Sequence, residues 1–510
     1  MNRLQRSSFN IIFSAAGWAV PALLNFLSTP ILLKLLGEAA YGLQTLVAVV
    51  IGYLTVMDMG LDIPVTKFLA EDHARGDSES ENRLLNTTLQ LYTGIGIVGM
   101  VIIMLAADVL ARRVFEVPDE LIRQAVVVFR LAGVGFLASV MSMWGKAIAN
   151  GLQRYDVASK ISIAANLAGV TIGLAAVYAG YGVTGYVFIR VLVSLLTGVA
   201  YLISAHQLIP GFRLRLAIDM PILQRVKSYA SFGLILRLTG LIVGGLDRTL
   251  IGAWLGVAAV ALYAVPALVS AAFSQLIGNM LHFIFPMASE LYSTNQFEAL
   301  QNIFIRSMRF VAGLATAMIV PLLVLGDLFL NLWIGPNVTV QSAAVLRLLL
   351  LTAYFQAVAA VLTNNFVVGT GRISVFSVYA TINGLVVGAG CLLFIRPFGI
   401  QGAGLAQLIS EAVDIIFMIF VVQRYLQISP LALFRTAYLR PLLLGLAIGA
   451  LAFLARPIAT SWIGLSMVVG CLEIIYLVVG YQIGVFSETE ARAAVGLWQA
   501  MSKLMRRAGA

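Results

Sequence analysis

The stretch GGLDRTLIG, residues 244–252, lies inside a long apolar region and raises the question of which ligand requires charged residues there. SYASFGLILRLTGLIV precedes it and AWLGVAAVALYAV follows it, yet Asp247 and Arg248 stand side by side, eleven residues after Arg237. At about 100° per residue, Arg237 and Arg248 fall within about 20° of each other on a helix, and glycines occupy nearby positions of that face. We expect a membrane helix whose polar face lines a space that attracts anions.

The composition places the whole chain among membrane proteins. Of its 510 residues, 60% are hydrophobic and 11% are charged, and its mean hydropathy is +0.96. Soluble domains carry about 25% charged residues, so a soluble enzyme is excluded as the main interpretation. The net charge of +10 would suggest a nucleic-acid partner in a soluble protein, but here it follows from membrane topology, and no nucleic acid is expected. Cys391 and Cys471 lie far apart in apolar spans and are interpreted as packing residues.

About fourteen apolar segments are long enough to cross the hydrocarbon core as helices. Outside these segments, 21 of the 33 Lys and Arg residues fall in one set of loops and six in the other, which predicts both termini in the cytoplasm. The tail after residue 485 starts with a capping box, Ser487 to Glu490, and ends in basic residues, as expected for an amphipathic helix on the membrane surface. The predicted cores are 10–33, 41–65, 85–107, 122–148, 161–180, 183–206, 229–254, 260–285, 303–326, 343–368, 374–396, 400–423, 439–459 and 462–484.

The chain repeats itself at an offset of about 217 residues. YGVTG at 181–185 recurs as FGIQG at 398–402, and GLQR at 151–154 recurs as GTGR at 369–372. An offset of six spans preserves orientation, so the halves are parallel repeats around an axis along the membrane normal. The predicted fold is therefore an all-α integral membrane protein with two six-helix lobes related by pseudo-two-fold symmetry and two appended helices. The predicted parts are an N-lobe at 1–206, a cytoplasmic linker at 207–228, a C-lobe at 229–424, the appended spans at 425–484 and the tail at 485–510.

Charged residues inside the spans indicate a solvated interior, because each costs a few kcal/mol or more in hydrocarbon. Six of them are basic and mostly Arg, whose planar fork suits phosphate. Glu411 and Asp414 share one helix face and occupy the repeat positions of Ser194 and Thr197. Two alternatives stay open: snorkelling of Arg130, Lys146 and Arg347 to an interface, and a structural ion-pair network around Asp247 and Arg248. Glu473, in an appended span, is interpreted as structural.

Other chemistry is not indicated by the sequence. The three histidines, His73, His206 and His282, are scattered without metal-ligand spacing, and no nucleotide-binding motif accompanies the spans. We therefore expect no cofactor and no ATP-driven mechanism.

The chain resembles the polysaccharide (O-antigen type) flippases of the multidrug/oligosaccharidyl-lipid/polysaccharide (MOP) exporter superfamily. The resemblance rests on LLGEAAYGL at 35–43, DMGL at 58–61, LDRTLIGAWLG at 246–256 followed by Tyr263, and the two repeated motifs. It implies a central cavity and alternating access, by which an undecaprenyl-diphosphate-linked oligosaccharide moves from the cytoplasmic to the periplasmic leaflet of the bacterial inner membrane. It also implies coupling to an H+ or Na+ gradient or to the membrane potential, membrane lipids as surroundings, and a polysaccharide polymerase with chain-length machinery as partners.

The resemblance and the charge pattern together define the candidate residues. We expect a transporter, not an enzyme; the alternatives are a peptidoglycan lipid-precursor flippase, a cation-coupled multidrug exporter of the same superfamily, and a membrane-embedded polysaccharide polymerase or ligase. The candidates for diphosphate or sugar binding are Arg190, Arg237, Arg248, Arg130, Arg347, Lys146 and Asn365. The ion-coupling candidates are Asp58, Asp247, Glu411 and Asp414.

Overall fold

The computed structural model describes residues 3–58, 60–215, 218–281 and 284–488, and within its helices the side chains of a few stretches are not described. The side chains that are not described are those of residues 3–16, 18, 228–239, 241–243, 285–286 and 337–339. All regular structure in the described residues is helical. The predicted amphipathic tail beyond residue 488 lies outside the described residues.

Long apolar helices make up the chain, joined by tight turns and by short irregular helical segments. The first part comprises α1 (Arg3–Leu36), α2 (Glu38–Leu54), α3 (Asp62–Arg75), α4 (Ser78–Val109), α5 (Asp119–Gly151), α6 (Tyr155–Ala176), α7 (Gly182–Leu208) and α8 (Met220–Leu255). The second part comprises α9 (Val257–Leu281), α10 (Ile284–Ser293), α11 (Phe297–Ile334), α12 (Pro336–Phe355), α13 (Leu362–Gly369), α14 (Ile373–Phe398), α15 (Ile400–Tyr425), α16 (Pro430–Leu433), α17 (Leu439–Leu454) and α18 (Trp462–Gln482).

The prediction of an all-α protein with about fourteen spans is confirmed. By length and composition, 12 helical stretches among the described residues can cross a membrane. One of them, Tyr155–Leu208, contains two helices, α6 and α7. Helix α8, in which several side chains are not described, supplies one further span of 36 residues. Within the region predicted as the loop 286–302, the structure has the short helix α10, because IFPMASELYS continues the helical pattern.

The repeated turns have the same backbone in both halves of the chain. In GLQR and GTGR the third residue adopts positive φ, 56° at Gln153 and 78° at Gly371. The amides of Arg154 and Arg372 then each donate to the carbonyl five residues earlier, at 2.7 and 3.0 Å. This left-handed residue ends one helix and turns the chain into the next, as at many helix C-termini.

The second repeated motif also has one geometry. Gly182 of YGVTG has φ 57° and Gly399 of FGIQG has φ 60°, values that residues with a Cβ rarely adopt. Each glycine turns the chain back immediately, so α6 pairs with α7, and α14 is followed at once by α15.

The contacts divide the chain into two compact units. Unit 1 contains Met1–Val265 together with Val387–Ala403, and unit 2 contains Pro266–Val386 together with Gly404–Ala510. In unit 1, α5 packs against both α4 and α7, and small residues let the helices approach closely. A Cβ on Gly145 of α5 would collide with Tyr201 of α7.

Unit 2 is organised around α11, which packs against α12, α17 and α18. Leu325, Ile448, Leu472 and Tyr476 are buried together in its core. At the edge of this core, Arg456 forms a bidentate ion pair with Asp327. The ion pair and the apolar contacts fix α17 and α18 to α11.

Candidate functional site

A polar cavity of about 260 Å³ lies in unit 1 between α5, α6 and α7. Helix α7 contributes Arg190, Ser194, Thr197 and Tyr201, whose spacing of three or four residues places them on one helix face. The opposite wall comes from matching stripes on α5 and α6. The cavity is lined by Ser139, Ser142, Met143, Lys146, Ser162, Ala165, Asn166, Arg190, Val193, Ser194, Thr197 and Tyr201.

Two cations, Lys146 and Arg190, face this cavity, and no carboxylate is among the residues that line it. Lys146 is exposed to the cavity and Arg190 is half-buried. Within the described part of the chain, neither forms an ion pair. Positive charge that no protein group compensates favours an anionic ligand, and Arg can bind a phosphate through two parallel hydrogen bonds.

The absence of a side chain at Gly169 of α6 makes room for Arg190. A Cβ at this position would lie 3.1 Å from Nη1 and 3.3 Å from Cδ of Arg190. The guanidinium therefore lies directly over the backbone of α6. Gly169 is a positioning residue, because a Cβ here would require the Arg190 side chain to shift by a few tenths of an ångström.

Hydroxyl groups on the cavity wall are already engaged as donors. Ser139 donates to Phe136 O at 2.8 Å, Ser142 to Ala138 O at 3.0 Å, and Thr197 to Val193 O at 2.7 Å. A hydroxyl that donates to its own helix keeps oxygen lone pairs that accept hydrogen bonds. The wall thus offers acceptors, which suit sugar hydroxyls, beside two cationic donors, which suit phosphate.

Arg248 lines a second cavity of unit 1, of about 400 Å³, between α2 and α8. Its Nη1 donates to Gly244 O at 3.3 Å. Cβ atoms built at Gly240 and Gly244 would meet nothing within 4 Å, so this face of α8 borders open space. The structure therefore places Arg248 on a face that lines a cavity, as the opening stretch of sequence suggests.

Asp247, next to Arg248, faces a different environment. Its carboxylate is 3% exposed and accepts a hydrogen bond from Tyr263 Oη at 2.6 Å. The amide of Arg248 also donates to it, at 2.7 Å. One residue of the adjacent pair thus holds α8 against α9, and the other faces the cavity.

A buried acidic pair lies in unit 2, on α15. Glu411 and Asp414 are 4% and 3% exposed and lie one helical turn apart on the same face of α15. Asp414 Oδ1 accepts from Tyr379 Oη and from Asn383 Nδ2 of α14, both at 2.7 Å. Glu411 Oε2 is buried and has no hydrogen-bond partner among the described residues. Two carboxyls so close together cannot both be ionised at low cost.

Three of the predicted binding residues line neither of the two cavities described above. Arg130 is exposed on α5 and is not part of the cavity lining. Arg347 of unit 2 approaches Asp327 at 3.7 Å and thus joins the ion pair of Arg456. Asn365, also in unit 2, donates to Val361 O of the preceding helical turn at 3.0 Å.

Two further candidates complete the set. Asp58 is fully buried at the break between α2 and α3, where its Oδ1 accepts from Gly60 N at 2.9 Å and stabilises the turn. Arg237 lies in α8, but its side chain falls outside the described residues. Its predicted place beside Arg248 stays a prediction.

Several residues of these sites were not predicted from the sequence. Ser139 and Ser142 precede Lys146 by seven and four residues, which is the spacing of one helix face. Ser162 and Asn166 are likewise four apart on α6. This periodic signal was available, whereas the contact of Tyr379 with Asp414 depends on packing between two helices and has no local signal.

Comparison with known proteins gives a family and a fold. The family described as "Polysaccharide biosynthesis protein" matches residues 31–342. A putative O-antigen transporter of Shigella flexneri is 21% identical over 359 residues, covering 69% of this chain and 82% of that protein.

Solved structures with the same fold include transporters of lipids and drugs. The lipid II flippase MurJ, in an inward closed conformation, matches with a TM-score of 0.71 and 13% identity, over 93% of this chain and all of that one. An inward-facing multidrug resistance MATE transporter of the MOP superfamily matches with a TM-score of 0.66 and 15% identity, over 83% and 99% of the two chains. The family match confirms the predicted resemblance to polysaccharide biosynthesis proteins, and the solved structures show a shared fold.

Proposed function

This chain belongs to the polysaccharide biosynthesis protein family, and from that premise we propose that it flips undecaprenyl-diphosphate-linked oligosaccharides from the cytoplasmic to the periplasmic leaflet. It is a multi-pass membrane protein with the fold of MOP transporters. The proposal places it in the bacterial inner membrane with both termini in the cytoplasm, supported by the distribution of Lys and Arg between its loops.

The polar cavity of unit 1 is the observation that carries this proposal. A diphosphate with attached sugars cannot cross hydrocarbon without polar groups to replace its water. Lys146 and Arg190 supply charge for the phosphates, and the hydroxyl-rich wall supplies acceptors for the sugars. A site for cationic drugs needs acidic groups instead, and the lining of this cavity has none.

The test is export of surface polysaccharide by cells that carry charge-neutralised variants. Lys146→Gln with Arg190→Gln removes both cations, and we expect loss of surface polysaccharide at unchanged protein level. Arg123→Gln is the matched control, since it neutralises an exposed arginine of α5 that does not line the cavity. Normal export by the double variant contradicts the proposal.

A second assay separates the proposed cargo from its alternatives. We expect the chain to restore O-antigen export to a strain lacking its own flippase, but not to rescue depletion of the peptidoglycan-precursor flippase. We expect no gain in resistance to cationic drugs. Rescue of the peptidoglycan step would replace the proposed cargo with a lipid-linked disaccharide-peptide.

We further propose that the buried pair Glu411 and Asp414 couples transport to a H+ or Na+ gradient. The support is the burial of two contacting carboxyls, one of which has an oxygen without a hydrogen-bond partner in the described structure. Release of the bound proton or cation leaves a charged pair in a dry site, which favours a rearrangement that hydrates it.

Transport by purified protein in liposomes tests the coupling. Glu411→Gln mimics the protonated state permanently, and we expect transport that no longer responds to a pH or Na+ gradient. Glu473→Gln, a neutralised carboxyl in α18, is the control and is expected to keep the response. If Glu411→Gln responds to the gradients as the unaltered chain does, the pair is structural.

A further inference from the structure

An apolar groove of about 690 Å³ runs along unit 1 between α4, α5 and α7. Its lining combines small residues, including Gly94, Ala138 and Gly198, with large apolar side chains. Among the latter, Val199 is 53% exposed and Ile97 is 46% exposed. The groove is thus open to the surroundings and chemically suited to a hydrocarbon chain.

One end of the groove is lined by the linker between α7 and α8, which contributes Leu214, Arg215 and Ile218. This end is the one that the charge distribution assigns to the cytoplasm. Leu214 is 65% and Ile218 is 51% exposed, although they belong to a connecting segment. Apolar side chains exposed next to arginines are typical of a segment at the membrane interface.

Amide side chains of α4 hold this linker in place. Asn86 Nδ2 donates to Arg213 O at 2.9 Å, and Arg215 N donates to Asn86 Oδ1 at 2.6 Å. Gln90 Nε2 also donates to Arg215 O, at 3.3 Å. The backbone of Arg215 is therefore bound through both its N–H and its C=O. These bonds hold the residue in place at the end of the groove that the linker lines.

The groove is separated from the polar cavity by the contact of α5 with α7. On α7, Ser194 and Thr197 face the polar cavity, whereas Leu195 and Val199 face the groove. A Cβ on Gly145 of α5 would lie within 3 Å of Tyr201 of α7, so the two helices are in close contact between the two sites. The groove and the polar cavity therefore lie on different sides of this contact, and we assign the groove to a lipid other than the transported cargo.

We propose that this groove binds an acyl chain of an anionic phospholipid of the cytoplasmic leaflet, with the phosphate beside Arg215. The occupant is anionic because Arg215 lines the groove, Arg213 is near it in the chain, and no carboxylate is among the lining residues. The acyl chain covers the apolar surface of the groove, and the phosphate holds the linker at the membrane surface. This site is independent of the proposed transport function.

Native mass spectrometry of the purified chain with added phosphatidylglycerol or phosphatidylcholine tests the proposal. Arg215→Gln is expected to weaken phosphatidylglycerol binding about fivefold, because one basic residue near the surface contributes about 1 kcal/mol. Val199→Trp fills the groove and is expected to remove one bound phosphatidylglycerol. The unaltered chain is expected to bind phosphatidylcholine more weakly than phosphatidylglycerol. The variant Arg215→Gln is expected to bind the two lipids with equal affinity.

Two controls separate the groove from general lipid contact. Leu196→Trp adds the same bulk to the exposed side of α7 outside the groove, and Arg75→Gln removes an exposed arginine elsewhere. Both are expected to bind lipid as the unaltered chain does. Equal lipid retention by all four variants, equal affinity for the two lipids, or preferential retention of added undecaprenyl phosphate would each overturn the proposal.

Discussion

The hydrogen bonds between α4 and the linker predict how strongly one residue controls the local stability of that segment. Asn86 is 4% exposed and exchanges two hydrogen bonds with the linker, at 2.9 Å to Arg213 O and 2.6 Å from Arg215 N. Asn86→Leu keeps the size of the side chain and removes both bonds. At about 1 kcal/mol each, the loss is about 2 kcal/mol, or about a 30-fold increase in local opening. Hydrogen–deuterium exchange measures this directly as faster exchange at the amide of Arg215.

A graded control tests the reasoning behind that magnitude. Gln90 donates to the carbonyl of Arg215 at 3.3 Å, whereas Asn86 accepts the hydrogen bond of the Arg215 amide itself, so Gln90→Leu is expected to accelerate exchange of that amide less than Asn86→Leu does. Exchange at the turn around Gly182, at the other end of α7, is expected to stay unchanged in both variants. If Asn86→Leu and Gln90→Leu accelerate exchange equally, or not at all, the hydrogen bonds of Asn86 do not hold the linker.

Three further predictions concern other contacts. Gly169→Ala pushes against the Arg190 guanidinium at 3.1 Å and is expected to weaken binding of a diphosphate lipid by about 1 kcal/mol, roughly fivefold, in a direct binding assay. Arg456→Gln breaks the bidentate ion pair with Asp327 and is expected to cost about 2 kcal/mol, seen as a lower melting temperature in detergent. Gly182→Ala forces a Cβ onto a backbone with φ 57° and is expected to cost about 1–2 kcal/mol in the same thermal assay.

Matched variants distinguish these effects from general damage. Gly470→Ala introduces the same methyl group in α18, where a Cβ meets nothing within 4 Å, and is expected to be neutral or slightly stabilising. Arg435→Gln neutralises an exposed arginine of unit 2 and is expected to leave the melting temperature unchanged. Wild-type lipid binding by Gly169→Ala, or a melting temperature unaltered by Arg456→Gln or Gly182→Ala, contradicts the corresponding contact analysis.

The fold could be predicted because the hydrocarbon core of a membrane permits few backbone conformations. Each backbone polar group must be satisfied within its own segment, so long apolar stretches are helices. The repeated glycine motifs marked turns that the structure shows with matching dihedral angles at Gly182 and Gly399. Most of the short helix α10, residues 284–293, lies in the region 286–302 that we predicted as a loop, because a helix of ten residues is too short to give a strong hydropathy signal.

The candidate sites were predictable only where one helix carries the pattern. The stripe of Arg190, Ser194 and Thr197 was readable from spacing, and the structure places it on one cavity wall. The partners of a charge depend on which helices meet. Arg347 has the same chemistry as Arg190 in the sequence, but its guanidinium lies beside the carboxylate of Asp327, which belongs to a different helix, α11. Spacing within one helix carries no information about that neighbour.

The self-satisfied hydroxyls of the polar cavity have an evolutionary consequence. Because Ser139, Ser142 and Thr197 each donate to their own helix, replacing one by alanine leaves no buried partner stranded elsewhere in the protein. Relatives of this chain can therefore vary these positions one at a time while the scaffold stays intact. Under the proposed function, a change in the transported glycan can then be matched by a single substitution in this wall, without a compensating change in the architecture.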